Sequence, residues 1–260
     1  MIRGLWDRET VALVLLAAHL PLALFWVWFV GGQAVATFAL AALVLLFWQL
    51  VFMLARAQPP SLAGLLTALA IAVLVPEDLG VFRLVLGISF GVVMGELVFG
   101  GWGRNVVNPA TVALSFLGFG FPGAPWPMIV EPVVWAAIAT GLIGMGTGTM
   151  PTPVLVSAAA VAAGANVAGL LPAATLPAAG LVLVLLLGDP VTSAATTLGR
   201  WFHGALYAGL ATLFAWGWSG AAPVQMAVAA ALLASLAAPL LDEAAIALWL
   251  ARRRRRHGRT

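Results

Sequence analysis

Cysteine and lysine are both absent from the 260-residue sequence. Without cysteine the chain has no disulfide, no thiolate metal site and no cysteine-ligated iron–sulfur cluster. Charge is scarce: 8% of residues are Asp, Glu, Lys or Arg, against 63% hydrophobic. Soluble domains carry about 25% charged residues, so a water-soluble core does not account for this composition. The regular polar alternation of a membrane β-barrel is missing too. No glycine-rich phosphate loop follows a strand, no Ser/His/Asp set is visible, and no group of metal ligands stands out. Hydrolase chemistry has no basis here, and no metal site is expected. The formal charge of +3 does not mark a nucleic-acid binder, because five of the twelve arginines form one run, Arg252 to Arg256. Such a run directly after an apolar helix anchors its cytoplasmic end against anionic lipid.

What the sequence has is hydrophobic runs. They fall near residues 10–30, 33–55, 62–75, 81–99, 109–121, 130–145, 153–171, 174–187, 201–218 and 223–250. The first reads as a retained helix, without a signal-peptide cleavage site. The last is interrupted by Pro239, beyond which "AAIALWLARRRRR" reads as an interfacial helix. A bilayer core of about 30 Å needs about 20 helical residues. The segments 62–75, 109–121 and 174–187 are too short, which is how discontinuous membrane helices look in sequence. The fold expected is an all-α polytopic membrane protein of about ten transmembrane segments in one integral membrane domain, 1–260, with a basic tail at 251–260. Ten crossings with both termini in the cytoplasm put Arg3, Arg8, Arg56, Arg104, Arg200 and the C-terminal cluster inside, leaving Arg83 outside, as the positive-inside rule asks.

The halves resemble each other. At an offset of 117, Arg83 meets Arg200, Gly87 meets Gly204, and Gly100 and Gly103 meet Gly217 and Gly220. Five segments per half makes two inverted repeats, about 10–121 and 130–250, with a site expected where their broken helices meet.

Two polar elbows mark that site. The first is "GELVFGGWGRNVVNPATVALSF", residues 95–116. Asn108 is a favoured N-cap and Pro109 a favoured first helical residue, so a helix starts there. Its N–H groups and positive dipole end attract an anion or a polar group. Gly100, Gly101 and Gly103 let backbone approach closely, Asn105 and Asn108 supply side-chain hydrogen bonds, and Arg104 supplies a phosphate or carboxylate contact. A tight turn with a routine cap explains the same residues without a ligand. The second elbow is "LLLGDPVTSAATTLGRW", residues 185–201. Asp189-Pro190 ends a short helix, and Thr192, Ser193 and Thr196 follow; local Asx and Ser/Thr turns are the alternative use of these groups. Glu96, a carboxylate in an apolar helix, is read with Asp189 as lining an ion path. Pairing with Arg104, or reaching the interface, is its alternative. His19 and His203 read as packed or interfacial.

At these elbows the sequence resembles the NqrB/RnfD family, large membrane subunits of the sodium-translocating NADH:quinone reductase and of the Rnf complex. The motif "LVLGISFGVVMGELVFGGWGRNVVNPATVALSFLGFGFP" carries most of the likeness. "LLGDPVTSAATTLGRWFHGALYAG", "LAAPLLDEAAIALWLARRRRR" and "SLAGLLTALAIAVLVPEDL" resemble further family segments. The resemblance implies a urea-transporter-like fold of two inverted five-helix repeats, flavin (FMN or riboflavin), other membrane redox subunits as partners, and electron transfer coupled to Na+ or H+ translocation in a bacterial inner membrane. By position, its first signature lands on Gly100, Gly101, Gly103, Asn105, Asn108 and Pro109, its second on Asp189, Pro190, Thr192 and Ser193. The family's Ser-Gly-Ala-Thr attachment motif for covalent FMN is missing between the two signatures. Ser193-Ala194-Ala195-Thr196 looks like it but stands inside the second signature, so the expectation is a reduced relative that either binds flavin non-covalently or has lost redox work. A stand-alone transporter or channel for a small polar solute, and a membrane accessory of a biosynthetic pathway, are the competing functions on the same fold.

Overall fold

The computed structural model describes residues 7–257, with side chains to Arg253. Arg3, the end of the basic tail and the side chains of Arg254 to Arg256 lie outside the described residues. Within them the chain is helical, with ten α-helices and no strands. In order they are α1 Arg8–Val30, α2 Gly32–Arg56, α3 Ala63–Leu74, α4 Gly80–Gly95, α5 Pro109–Gly120, α6 Glu131–Thr147, α7 Thr152–Val167, α8 Leu176–Val182, α9 Thr197–Gly217 and α10 Pro223–His257. A 3-10 turn, Leu97–Phe99, extends α4, and a π-helical turn, Leu183–Leu187, extends α8. Four spans are long and apolar enough to cross a bilayer: Arg8–Val30, Gly32–Arg56, Gly80–Phe99 and Pro223–Arg253. The chain is a multi-pass membrane protein.

The short segments stay short. α3 and α5 have 12 residues each, about 18 Å of helix against a core of about 30 Å. A helix of that length does not cross the core, so an end that stops inside it needs protein partners for its free backbone groups. Local chemistry sets the starts: Asp7 accepts from the Thr10 amide at the head of α1, Asn108 from Ala110 at the head of α5, and Thr196 from Gly199 at the head of α9.

Small residues set the closest packing. α4 lies against α5 with Gly87 facing Leu117, Gly91 facing Ala113 and Gly95 facing Pro109. A Cβ built on Gly91 would come 2.6 Å from the Ala113 backbone nitrogen, so glycine at every fourth position is what allows the contact. The packing pairs recur along the chain. α2 packs on α4 and α7 on α9; α4 on α5 and α9 on α10; α1 on α3 and α6 on α8; α3 on α5 and α8 on α10. α1 with α6, and α5 with α10, join the two sets.

Two expectations need correction. Pro239 does not interrupt the last helix: α10 runs 35 residues through it. Proline removes one backbone donor, leaving the Ser235 carbonyl without its usual partner, a loss that membrane helices tolerate where neighbouring helices, hydroxyl side chains or small local adjustments re-satisfy the freed group. α9 begins at Thr197, four residues before the apolar run does, because the Thr196 cap decides the start.

Candidate functional site

Both elbows fold around backbone, and then meet. In the first, the 3-10 turn ends on Gly100, and the Glu96 carbonyl accepts from the amides of Phe99 and Gly101 at 3.2 and 3.1 Å. Gly100, Gly101 and Gly103 have φ of 106°, 89° and 98°, conformations a side chain would strain. The space their missing side chains leave is filled by protein. A Cβ on Gly101 would meet Gln58 at 2.5 Å, and one on Gly103 would meet Arg8 at 3.3 Å. With its amide oriented to satisfy both partners, Gln58 donates to the Leu97 carbonyl at 3.3 Å and accepts from Gly101 N–H at 2.8 Å. Arg8 donates to the Trp102 carbonyl at 3.1 Å, while Glu9 accepts from the Leu62 amide at 3.0 Å, tying the head of α1 to the elbow and to the start of α3.

Asn108 carries the junction. Its Oδ1 caps α5 by accepting from Ala110 N–H at 2.9 Å, and its Nδ2 donates to Asp189 Oδ2 at 3.3 Å, across 81 positions of sequence. Asp189 uses its other oxygen to accept from the Val191 amide at 3.0 Å, closing an Asx turn after the π-helical turn. Beside this bond lies a cavity of about 30 Å³, lined among others by His19, Thr67, Trp102, Asn108, Pro109 and Asp189. That volume holds one water or one bare cation. His19 donates Nδ1–H to the Leu15 carbonyl at 2.7 Å, so in the neutral ring Nε2 is the free acceptor.

Trp102 also walls a second, tighter recess with Gln49, Gln58, Ser61, Glu96 and Gly101. Glu96 is 1% exposed and its Oε2 has no hydrogen-bond partner among the described residues. Trp102 is thus shared by the recess that Glu96 lines and the cavity that Asp189 lines. The alternative pairing of Glu96 with Arg104 is not seen: the ion pair among the described side chains is Arg8 with Glu9, at 3.3 Å. Arg104 is exposed. Asn105 is buried, accepts from Gly103 N–H at 3.2 Å and lies within reach of Asp189.

Past Thr192, which stays within reach of Asp189, the second elbow turns the other way. Thr192 is buried, and the Ser193 hydroxyl donates to the Pro190 carbonyl at 3.3 Å. Thr196 caps α9 and donates its hydroxyl to Asp242, which also accepts from the amides of Ala195 and Thr196 at 2.7 and 2.8 Å. Ser193 and Thr196 are thus engaged with backbone and α10, outside the cavity. His19, Thr67 and Trp102 belong to it: Trp102 stands within the first elbow but is not among the residues singled out there, and no motif announced Thr67 or His19, whose one signal is a histidine one turn after Leu15 on an otherwise apolar helix.

A flavin ring does not fit between the elbows. Pockets for ligands of that size measure about 300–1,000 Å³, an order of magnitude above this cavity, and the glycine spaces are taken by Gln58, Arg104 and Arg8. Among the described residues no three acidic or histidine side chains converge on a metal position.

These features define a multi-pass membrane protein whose broken helices meet at a buried polar junction with room for a cation or a water. The chain belongs to the NQR2, RnfD, RnfE family, whose model matches residues 3–138. That stretch contains the first elbow and ends before Asp189. Relatives named as a subunit of the Na(+)-translocating NADH-quinone reductase are similar to it. One from Chromohalobacter salexigens is 34% identical over 125 residues, 46% of this chain and 29% of the relative. One from Yersinia pestis is 40% identical over 85 residues, 33% of this chain and 21% of the relative. One from Stutzerimonas stutzeri is 35% identical over 99 residues, 37% and 25% respectively. The matched stretch is therefore well under two thirds of each relative's length.

Proposed function

We propose that the chain is a membrane subunit of an Nqr/Rnf-type electron transport complex, in which other membrane redox subunits carry the electrons and this chain guides the coupled cation, Na+ or H+. The observation that carries the reading is the Asn108–Asp189 hydrogen bond closing a water-sized cavity between two broken-helix elbows. Family membership and the names of the relatives support the complex; the cavity's size supports a cation over a larger solute.

On this reading the cation passes between Glu96 and Asp189 along the face of Trp102. Glu96 offers a carboxylate oxygen without a competing donor, Asp189 and Asn108 present the opposite wall, and His19 Nε2 holds or releases a proton beside them. Asn108 keeps Asp189 pointed at the cavity while capping α5. The glycine turn of residues 100–103 with Asn105 holds Glu96 in register; Thr192, Ser193 and Thr196 shape the second elbow. FMN or riboflavin, held non-covalently, is the cofactor class the family relationship brings, and no step assigned to these residues passes through it.

The architecture proposed is two inverted five-helix repeats of the urea-transporter type. The recurrence of packing pairs supports it, as does the offset of 117, which carries the bounds of α4 from 80–95 to 197–212, against Thr197–Gly217 for α9. The distribution of arginines along the sequence supports both termini on the cytoplasmic side of a bacterial inner membrane.

The test is purification from native membranes with the associated chains and chromophore identified, followed by reconstitution of parent, Glu96→Gln and Asp189→Asn. Electron transfer that continues while cation uptake falls at least tenfold supports the reading. Unchanged uptake in both variants, or a chain that purifies with no redox partner, refutes it.

A further inference from the structure

The far end of α10 forms a second site. A 35-residue helix is about 52 Å long, roughly 20 Å more than the hydrocarbon core requires. The excess, beyond Asp242, overhangs the head of α9 and leaves an apolar groove of about 450 Å³ between them. Its walls include Thr196, Leu198, Trp201, Ile246, Trp249 and Arg252. From Ala244 to Arg253 the only buried residue is Ala245, and Trp201 and Trp249 are 43% and 57% exposed. None of the described residues covers this surface.

Charge and shape identify the occupant. The groove is apolar along its length and bordered by indoles, the side chains that favour the headgroup level of a membrane. Arg252 stands at its rim, and Arg253 lies over the Trp249 ring at 5.3 Å. At the opposite wall is the amino end of α9, where the amides of Thr197 and Leu198 have no hydrogen-bond partner among the described residues. Asp242, the nearest described carboxylate to that end, is already held by three donors from Ala195 and Thr196. An apolar body with a cationic rim matches a phospholipid whose phosphate is anionic and whose chains lie between the two indoles. We propose that this groove is a binding site for one anionic phospholipid, and that its occupancy holds the second elbow. Thr196 makes the link, being at once a wall of the groove, the cap of α9 and the partner of Asp242.

Purified full-length chain is loaded into nanodiscs of phosphatidylglycerol or phosphatidylcholine, and retained lipid is counted by native mass spectrometry after detergent transfer. An arginine near an anionic headgroup favours it about fivefold. One tightly held phosphatidylglycerol, preferred at least about fivefold over phosphatidylcholine, is expected for the parent and for Arg83→Gln. The preference should fall toward one in Arg252→Gln combined with Arg253→Gln, and return with Lys at both positions. Trypsin cleavage after Arg200 should slow when phosphatidylglycerol is bound. Equal retention of the two lipids, a preference that survives the double variant, or cleavage indifferent to lipid overturns the proposal. So does a groove found to hold a flavin or a segment of a partner polypeptide.

Discussion

Truncating Asn108 separates the two jobs the structure gives it. Asn108→Ala removes the cap on α5, which costs about 0.5–2 kcal/mol, and also the bond to Asp189. Charge-assisted bonds in soluble proteins contribute about 1.5–3 kcal/mol, but couplings between membrane helices average about 0.6 kcal/mol with a maximum near 1.7. At 3.3 Å the Asn108–Asp189 bond is long for a bond to a carboxylate, so the lower scale applies and a coupling of about 0.5–1.5 kcal/mol is expected. Asn108→Ser keeps a cap but cannot reach Asp189, and should lose only the coupling. The assay is a double-mutant cycle of Asn108→Ser and Asp189→Ala, read by reversible denaturation in mixed micelles. Asn108→Ala should be worse than Asn108→Ser by the capping increment. Two single losses that add to the double loss within about 0.3 kcal/mol would mean that the elbows are not joined, and the cavity between them would lose its closing wall.

Other perturbations have simpler outcomes. Gly91→Val forces a side chain into the Ala113 backbone and should cost about 3 kcal/mol or prevent folding, whereas Gly209→Ala, with nothing within 4 Å, should be neutral or slightly stabilising by thermal unfolding. Asp7, outside the membrane, has its carboxyl held below the usual range by the hydroxyl and amide of Thr10. A lowered folded-state pKa contributes stability above the ordinary carboxylate range that is lost as pH falls through the lowered value. Hydrogen exchange at the Thr10 amide should therefore be protected near neutral pH and unprotected in strong acid, and Asp7→Asn should flatten that dependence; a pH-independent parent refutes it. Because the chain has no cysteine, Gly123→Cys and Thr260→Cys give clean labelling sites. An impermeant maleimide should reach position 123 from the periplasm and position 260 only from inverted vesicles; labelling of both from one side removes the proposed orientation.

Much of the fold was legible because membrane helices announce themselves by length and by polar punctuation. The short segments at 62–75 and 109–121 appear as α3 and α5 within a residue or two, and the Asn108-Pro109 start is where the hydrogen bond to Ala110 confirms it. Capping is local, so local sequence reveals it. The meeting of Asn108 with Asp189 is not local; an offset repeat pointed toward it, but no residue type specifies a partner 81 positions away. His19 was hidden because a histidine satisfied by a carbonyl four residues back looks the same whether or not its other nitrogen faces a cavity. Arg104 stood close to Glu96 in sequence, yet the three glycines turn the chain so that it faces outward. Pro239 misled because a membrane helix runs on through a proline where other groups re-satisfy the freed carbonyl, and those groups are not local in sequence.

The glycine seam between α4 and α5 restricts how the molecule moves. With backbone against backbone at Gly91 and Ala113, neither helix slides or rotates past the other without collision, so the pair travels as a single bar. The two elbows, by contrast, meet through one long amide-to-carboxylate bond beside a gap the size of a water. If the chain guides a cation as proposed, the opening is expected at that junction between the elbows, where the contact is long, and not within the α4–α5 pair, where backbone meets backbone.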